Sequence, residues 1–395
     1  MALTRAGVLF AAPAEGLLLI VPADAAGHDH PAPTTLVAGL SLVRRIALAG
    51  TRAGFGRVLV HGLDGTLAGT WTHQLGEAEG NPPRSPLRLV LIPANVLPRP
   101  DWLRSLLEAR VDPDTLYVDT SMAALIETTE PARVLSAAAR CHHARELVTM
   151  LRERVREGAW RFDSAGRFPL GGPGDIAGAE TWLLRSLIKA SEGFMSRHLE
   201  RRISLALTRR LVFTGVTPNA MTLLSVAIGL LGAPCFLSSA PLVQLTGALL
   251  FLAHSILDGC DGELARLKFL ESRHGALLDF WGDNTVHVAV FACMAIGWSQ
   301  SLGQAWPLVV GAVAVAGTLG AAATLAGSGL GSDGRDTESS WVTRLTDALA
   351  HRDFIYLIVL LAAAGKAWWF LVLVASGTPI FVLLCLWAGA RRPPL

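Results

Sequence analysis

Four aspartates set beside long apolar runs constrain this chain more than any other feature. The segment Asp258-Gly-Cys-Asp261-Gly262-Glu-Leu-Ala265-Arg266 is followed, after eight residues, by Gly275-Ala-Leu-Leu-Asp279-Phe-Trp-Gly-Asp283. An aspartate at the centre of a membrane helix costs roughly 2.5–3.5 kcal/mol, so four left bare would cost on the order of 10 kcal/mol. Bound divalent cations are the obvious offset. Asp258 and Asp261 are three apart and Asp279 and Asp283 four apart, so each pair shares a helix face. Two antiparallel helices joined by a short turn then bring all four carboxylates toward one pocket. Hard carboxylate oxygens suit Mg²⁺, Mn²⁺ or Ca²⁺. Gly262 and Gly275 leave room for a ligand to approach the backbone, and Ala265 adds little bulk.

These residues resemble the signature of the CDP-alcohol phosphotransferase family, D-x2-D-G-x2-A-R-x8-G-x3-D-x3-D. Every fixed position is filled: Asp258, Asp261, Gly262, Ala265, Arg266, Gly275, Asp279 and Asp283. Helix-end acids facing lipid headgroups are the bland alternative, and chance rarely fills eight specified positions. The resemblance implies a membrane transferase that moves a substituted phosphate group from a CDP-linked donor to an alcohol acceptor and releases CMP. The donor would be CDP-diacylglycerol or a CDP-polyol, and the pathway phospholipid or polyol-phosphodiester synthesis. It also implies that Asp258, Asp261 and Asp279 hold one or two Mg²⁺ or Mn²⁺ ions on the donor diphosphate. Asp283 would be the general base toward the acceptor hydroxyl and would also touch a second metal ion. Gly262, Ala265, Arg266 and Gly275 would shape the nucleotide pocket. Arg335 and Arg352 are candidates for an acceptor phosphate, and read equally well as loop charges.

The rest of the chain fits an integral membrane protein. Of 395 residues, 51% are hydrophobic and only 17% charged, with a mean hydropathy of +0.43. A net charge of +2 points to no nucleic-acid partner. Expected spans are roughly 220–238, 242–262, 275–298, 304–328, 354–366 and 368–389, six in all, as in the family. Arginines and lysines gather before the first span, between spans two and three, after span four and after the last. The alternate loops near Ser238–Pro241 and Ser299–Gln304 carry none, with Lys366 the exception. The positive-inside rule therefore places both termini and the motif on the cytoplasmic side, expected to be that of the cytoplasmic membrane. Five scattered cysteines show no metal-binding spacing. Expected partners are the donor, the acceptor and membrane lipids, and a homodimer is an option.

Three regions are expected: an α/β domain over 1–175, a linker with an amphipathic juxtamembrane helix over 176–215, and the membrane domain over 216–395. The fold class is thus an α-helical membrane bundle with an N-terminal α/β, Rossmann-like cytoplasmic domain. In the juxtamembrane segment Leu199, Ile203, Leu207 and Leu211 recur every four residues against arginines on other faces. Such a helix can lie in the membrane interface or pack on the bundle. Val216-Thr217-Pro218-Asn219 resembles the turn that opens the family's first span.

The N-terminal pattern predicts strands at Gly16–Val21, Arg57–His61, Leu87–Pro93 and Thr115–Val118. Helices are predicted at Leu36–Ala53, Asp101–Ala109 and Pro131–Glu157, with a parallel sheet. The initial apolar stretch, interrupted by Pro13 and Glu15, reads as a hairpin or strand pair rather than a signal peptide. The layout resembles the sugar-phosphate nucleotidyltransferase domain that some family members carry, with its chemistry lost. Triphosphates need backbone N–H groups and cations. After the first strand stands Pro22-Ala-Asp-Ala-Ala-Gly27, with no Lys or Arg until Arg44. Asn95 occupies the place of a metal-binding aspartate, and His28 and His30 read as solvated loop residues. The competing readings are an ion or proton transporter using the aspartates, a bifunctional enzyme that also makes its CDP-alcohol, and a pseudoenzyme that only binds nucleotide.

Overall fold

A run of five consecutively buried apolar residues, Leu17–Val21, marks a strand covered on both faces. In the computed structural model, which describes residues 15–24, 30–63, 73–74, 83, 85–159, 162–188, 199–327 and 355–390, it is an interior strand of a seven-stranded sheet. The chain divides into two compact units, Met1–Leu183 and Leu184–Leu395.

In the first unit the strands are β1 (Glu15–Val21), β2 (Leu36–Val37), β3 (Leu40–Ser41), β4 (Arg57–Val60), β5 (His73–Gln74), β6 (Leu87–Pro93), β7 (Val96–Pro98), β8 (Thr115–Val118), β9 (Ala124–Thr128), β10 (Arg156–Glu157) and β11 (Arg167–Pro169). The main sheet has the order β10-β8-β9-β6-β1-β4-β5. Strand β1 runs parallel to β4 and β6, with Leu19 facing both Leu59 and Leu91. The sheet is not wholly parallel, contrary to the sequence expectation: β9 is antiparallel to β6 and β8. The β8–β9 connection is too short for a crossover and makes a hairpin. Asp119 closes it, its Oδ1 accepting from the Ser121 and Ala123 amides at 2.7 and 3.1 Å.

The helices are α1 (Leu42–Ala53), α2 (Pro100–Glu108), α3 (Pro131–Ala138), α4 (Ala144–Arg152) and α5 (Ile176–Arg185), the last carrying the chain across the division between units. Two sequence expectations are corrected. The helix expected over Leu36–Ala53 begins only at Leu42, because Ala38 and Gly39 take positive φ and fold β2 onto β3. The buried Arg45 guanidinium fastens that ribbon, donating to the Val37 and Ala38 carbonyls at 2.9 and 2.8 Å. The single helix expected over Pro131–Glu157 is two helices and a strand. Its break is held from outside: the Ala144 amide donates to the Pro22 carbonyl at 3.1 Å, and His61 Nε2 lies 2.8 Å from the Cys141 carbonyl. Leu17, Leu19, Leu89 and Leu91 form one core with Leu147 and Leu151. The hairpin expected before Glu15 lies outside the described residues.

The second unit is helical: α6 (Arg201–Leu211), α7 (Pro218–Gly232) prolonged by a 3-10 turn at Ala233–Leu237, α8 (Pro241–Lys268), α9 (Arg273–Leu302), α10 (Trp306–Gly327), α11 (Ile355–Ala363) and α12 (Trp368–Ala390). Thr217 caps α7, accepting from the Ala220 amide, with Pro218 in the first turn. Four stretches are long and apolar enough to cross a membrane: Pro218–Leu237, Pro241–Lys268, Arg273–Leu302 and Trp306–Thr324. Among the described residues, α11 has 9 residues, and Trp368–Leu384 is a shorter apolar stretch than those four. Leu231, Leu242 and Leu360 are two-thirds or more exposed. That outward apolar surface suits hydrocarbon, and the chain is an integral membrane protein. Close packing inside the bundle requires glycine at 247, where a Cβ would stand 2.9 Å from the Gly232 carbonyl oxygen.

Helix α6 turns polar residues inward. Its polar Ser204 and Thr208 are buried, while Leu199 before it and Ile203 within it are exposed.

Candidate metal centre in the bundle

Helix α8 ends at Phe269, which adopts the left-handed conformation at φ 54°, and α9 starts after Ser272, whose Oγ accepts from the Gly275 amide at 3.0 Å. The short connection returns the chain, and both helices pack on α7. It brings Asp258 and Asp261, each 5% exposed, to Asp279. One carboxylate oxygen from each of the three lies within 4.8 Å of the others. Ligands on opposite sides of a divalent ion, each at 2.0–2.6 Å, are about 4–5 Å apart, so the trio fits one ion. Asp279 Oδ1 is buried and accepts no hydrogen bond, a further sign of a cation-binding position.

Asp283 stands apart from the trio. Its Oδ1 lies 3.4 Å from Nε2 of the buried His254, one turn before Asp258 on α8. His287 Nδ1 lies 2.8 Å from the Asp283 carbonyl oxygen. Asp258, Asp279 and Asp283 line a cavity of about 640 Å³. Its wall carries His254, Asn284 and His287 close to the acids and is otherwise mostly apolar, with Phe251, Phe291 and Phe370 among its residues.

The framework residues have local tasks. A Cβ at Gly262 would stand 3.3 Å from Arg266 Nη1, so this glycine makes room for the guanidinium one turn on. A Cβ at Gly275 would stand 3.1 Å from Asn219 Oδ1, so Gly275 lets the start of α9 approach the start of α7. Ala265 is half-buried beside them.

Two participants escape a reading by motif. Thr222 on α7 donates its hydroxyl to Asp261 Oδ2. Its only sequence signal is a hydroxyl inside an apolar span. Glu263, fully buried two residues after Asp261, is bonded to Arg201, Ser204 and Thr208. Arg335, Arg352 and His28 lie outside the described residues. In the first unit, Asn95 Nδ2 donates to the Leu170 carbonyl at 3.0 Å and lies 3.3 Å from His30 Nδ1. Asp24, beyond β1, pairs with Arg145.

A family model described as CDP-alcohol phosphatidyltransferase matches residues 215–380. The bifunctional IPC transferase and DIPP synthase of Thermococcus kodakarensis is 37% identical over 144 residues, 36% of this chain and 32% of that protein. The protein of the same description from Archaeoglobus fulgidus is 34% identical over 145 residues, 36% of this chain and 29% of that protein. The chain thus covers about a third of the length of these curated relatives. The solved phosphatidylinositol phosphate synthase of Mycobacterium tuberculosis with CDP-DAG bound aligns with a TM-score of 0.36 and 22% identity, over 49% of this chain and 99% of that chain.

Proposed function

We propose, from the match of residues 215–380 to the CDP-alcohol phosphatidyltransferase family model, that this part of the chain transfers a substituted phosphate group from a CDP-linked donor to an alcohol. The observation that carries the reading is the meeting of Asp258, Asp261 and Asp279 at the edge of a cavity that Asp283 also lines. The three carboxylates would hold Mg²⁺ or Mn²⁺, which would neutralise charge on the phosphoryl oxygens and the departing nucleotide. Asp283, which lies beside His254, takes the proton of the acceptor hydroxyl. The acceptor oxygen forms the new P–O bond, the bond to CMP breaks, and CMP leaves as an anion. Gly262, Ala265, Arg266 and Gly275 shape the nucleotide end of the site.

The mostly apolar cavity wall favours a substrate with a hydrocarbon chain, and so CDP-diacylglycerol over a CDP-polyol as donor. Charge in the loops favours a site on the cytoplasmic face of the cytoplasmic membrane, with both termini on that side. We place the domain limits at 1–175, 176–215 and 216–395.

In the first unit, two observations favour loss of nucleotidyl transfer over a bifunctional enzyme. Asn95 uses its amide as a donor to the Leu170 carbonyl, a bond an ionised aspartate cannot make. The Cys141–Arg145 stretch crosses the ends of β1 and β4, bonded to Pro22, Asp24 and His61. In open α/β sheets the crevice beyond those strand ends is where a nucleotide would bind.

The test is CMP release by the purified full-length protein with Mg²⁺ or Mn²⁺ and labelled CDP-diacylglycerol or CDP-inositol, against a panel of alcohols, polyols and polyol phosphates. Acceptor-dependent release into a phosphodiester supports the reading. A protein that instead moves ions or protons across vesicles, with no CMP formed from any pair, overturns it.

A further inference from the structure

The signature leaves the position after Gly262 unspecified, and this chain fills it with a fully buried glutamate. At 100° per residue, Glu263 points about 200° round α8 from Asp261 and about 140° from Asp258. It faces away from the carboxylate trio, so it is not one of its ligands. Its oxygens are held by three donors: Arg201 Nη1 at 2.6 Å and Ser204 Oγ at 2.7 Å on Oε1, and Thr208 Oγ1 at 2.7 Å on Oε2. All three donors come from one face of α6. The contact extends along α8. Cys260 Sγ lies 3.6 Å from the Ser204 carbonyl oxygen, and a Cβ at Gly259 would stand 3.7 Å from Arg201 Nη1. This explains why α6 turns its polar stripe inward and leaves Leu199 and Ile203 outside.

Buried ion pairs are poor stabilisers but can specify one arrangement over its neighbours. Short charge-assisted bonds of this kind are about twice as strong as neutral ones. Helix α8 is therefore gripped on two sides, by Thr222 through Asp261 and by α6 through Glu263. A rotation of α8 by about 20° would swing a carboxylate some 5–6 Å from the helix axis by about 2 Å. That displacement is as long as a metal–oxygen bond.

We propose that Glu263, clamped by Arg201, Ser204 and Thr208, is a positioning residue that fixes the rotation of α8 and so brings Asp258 and Asp261 to Asp279. The inference rests on the metal-centre reading above and makes α6 a working part of that centre. Two double variants of the full-length protein test it, with Mn²⁺ alone as probe and free Mn²⁺ read by electron paramagnetic resonance. Ser204→Ala with Thr208→Val removes two bonds and keeps the ion pair. Arg201→Met with Glu263→Met removes the pair and keeps volume. In both, the Mn²⁺ dissociation constant rises by about tenfold or more, the size expected when a group supporting a metal ligand is lost. Both variants keep cooperative unfolding without metal, at a melting temperature lowered by the lost bonds. A smaller rise in either folded variant overturns the positioning role, and if one variant fails to fold the other decides. Asp261→Asn serves as the control that abolishes the site. Absence of Mn²⁺ binding by the parent itself would overturn the metal-centre reading and this inference with it.

Discussion

Asp283 Oδ1 lies 3.4 Å from His254 Nε2, while oxygens of Asp258, Asp261 and Asp279 gather within 4.8 Å of one another. One of the four motif aspartates thus lies outside that gathering and has a histidine beside it. That division matches the two tasks of the proposed chemistry, holding a cation and taking a proton. Replacing Asp283 by Asn keeps the shape and removes the base. CMP release should fall by about 10²-fold or more. Mn²⁺ binding should persist, unlike in Asp261→Asn. Undiminished turnover in Asp283→Asn would remove the residue from its role.

The Thr222 hydroxyl is bonded to Asp261 from α7. Thr222→Val keeps the branched shape and deletes that donor. The loss acts on a metal ligand rather than on the proton acceptor. The Mg²⁺ concentration for half-maximal activity should rise by about tenfold or more, with turnover at saturating Mg²⁺ reduced less. Chelation should abolish activity in both proteins, with recovery on adding Mg²⁺ or Mn²⁺. Equal metal dependence of the two would show that the bond has no part in holding the ion.

Much of this arrangement is legible in the residue spacing. Pairs three and four apart on two helices with a short turn between them bring all four aspartates toward one pocket, but the spacing does not single out Asp258, Asp261 and Asp279 as the trio. Thr222 and Glu263 are not legible, because one acts from another helix and the other fills a position the motif leaves open. The facing of α6 is hidden for a related reason. Its leucine and isoleucine stripe suggests which side is apolar, but a buried carboxylate on α8 decides which side turns inward. In the first unit β1, β4, β6 and β8 were readable and β9 was not, while the break at Cys141–His143 comes from bonds to Pro22 and His61, distant in sequence. The direction of β9 follows from a tight hairpin that Asp119 closes, a turn whose chemistry is visible only once its partners are known.

The same distant contacts argue that the first unit makes no CDP-alcohol. Full-length protein given CTP, Mg²⁺ and a panel of sugar and polyol phosphates should release no pyrophosphate above background. Asn95→Asp should not restore the activity. It replaces a donor facing the Leu170 carbonyl with an acceptor, at a cost of about 1–3 kcal/mol in stability, visible as a lowered melting temperature. Robust pyrophosphate release by the parent protein would establish the bifunctional alternative.

The last prediction concerns which side of the membrane holds the chemistry. The α8–α9 turn carries Arg266, Lys268 and Arg273 about it, whereas the α9–α10 connection near Ser301 carries no Lys or Arg. By the positive-inside rule the first is expected inside and the second outside. Glu271 and Ser301 are both exposed, so single cysteines there, in a cysteine-free background, report the two sides. Glu271→Cys should react with an impermeant thiol reagent only after the inner face is opened, and Ser301→Cys should react on intact cells. The aspartates sit at the Glu271 end of their helices, where in the proposed orientation a CDP-linked donor made in the cytoplasm would reach them. The reverse labelling pattern would put the carboxylate trio on the side away from that donor supply and overturn the proposed orientation.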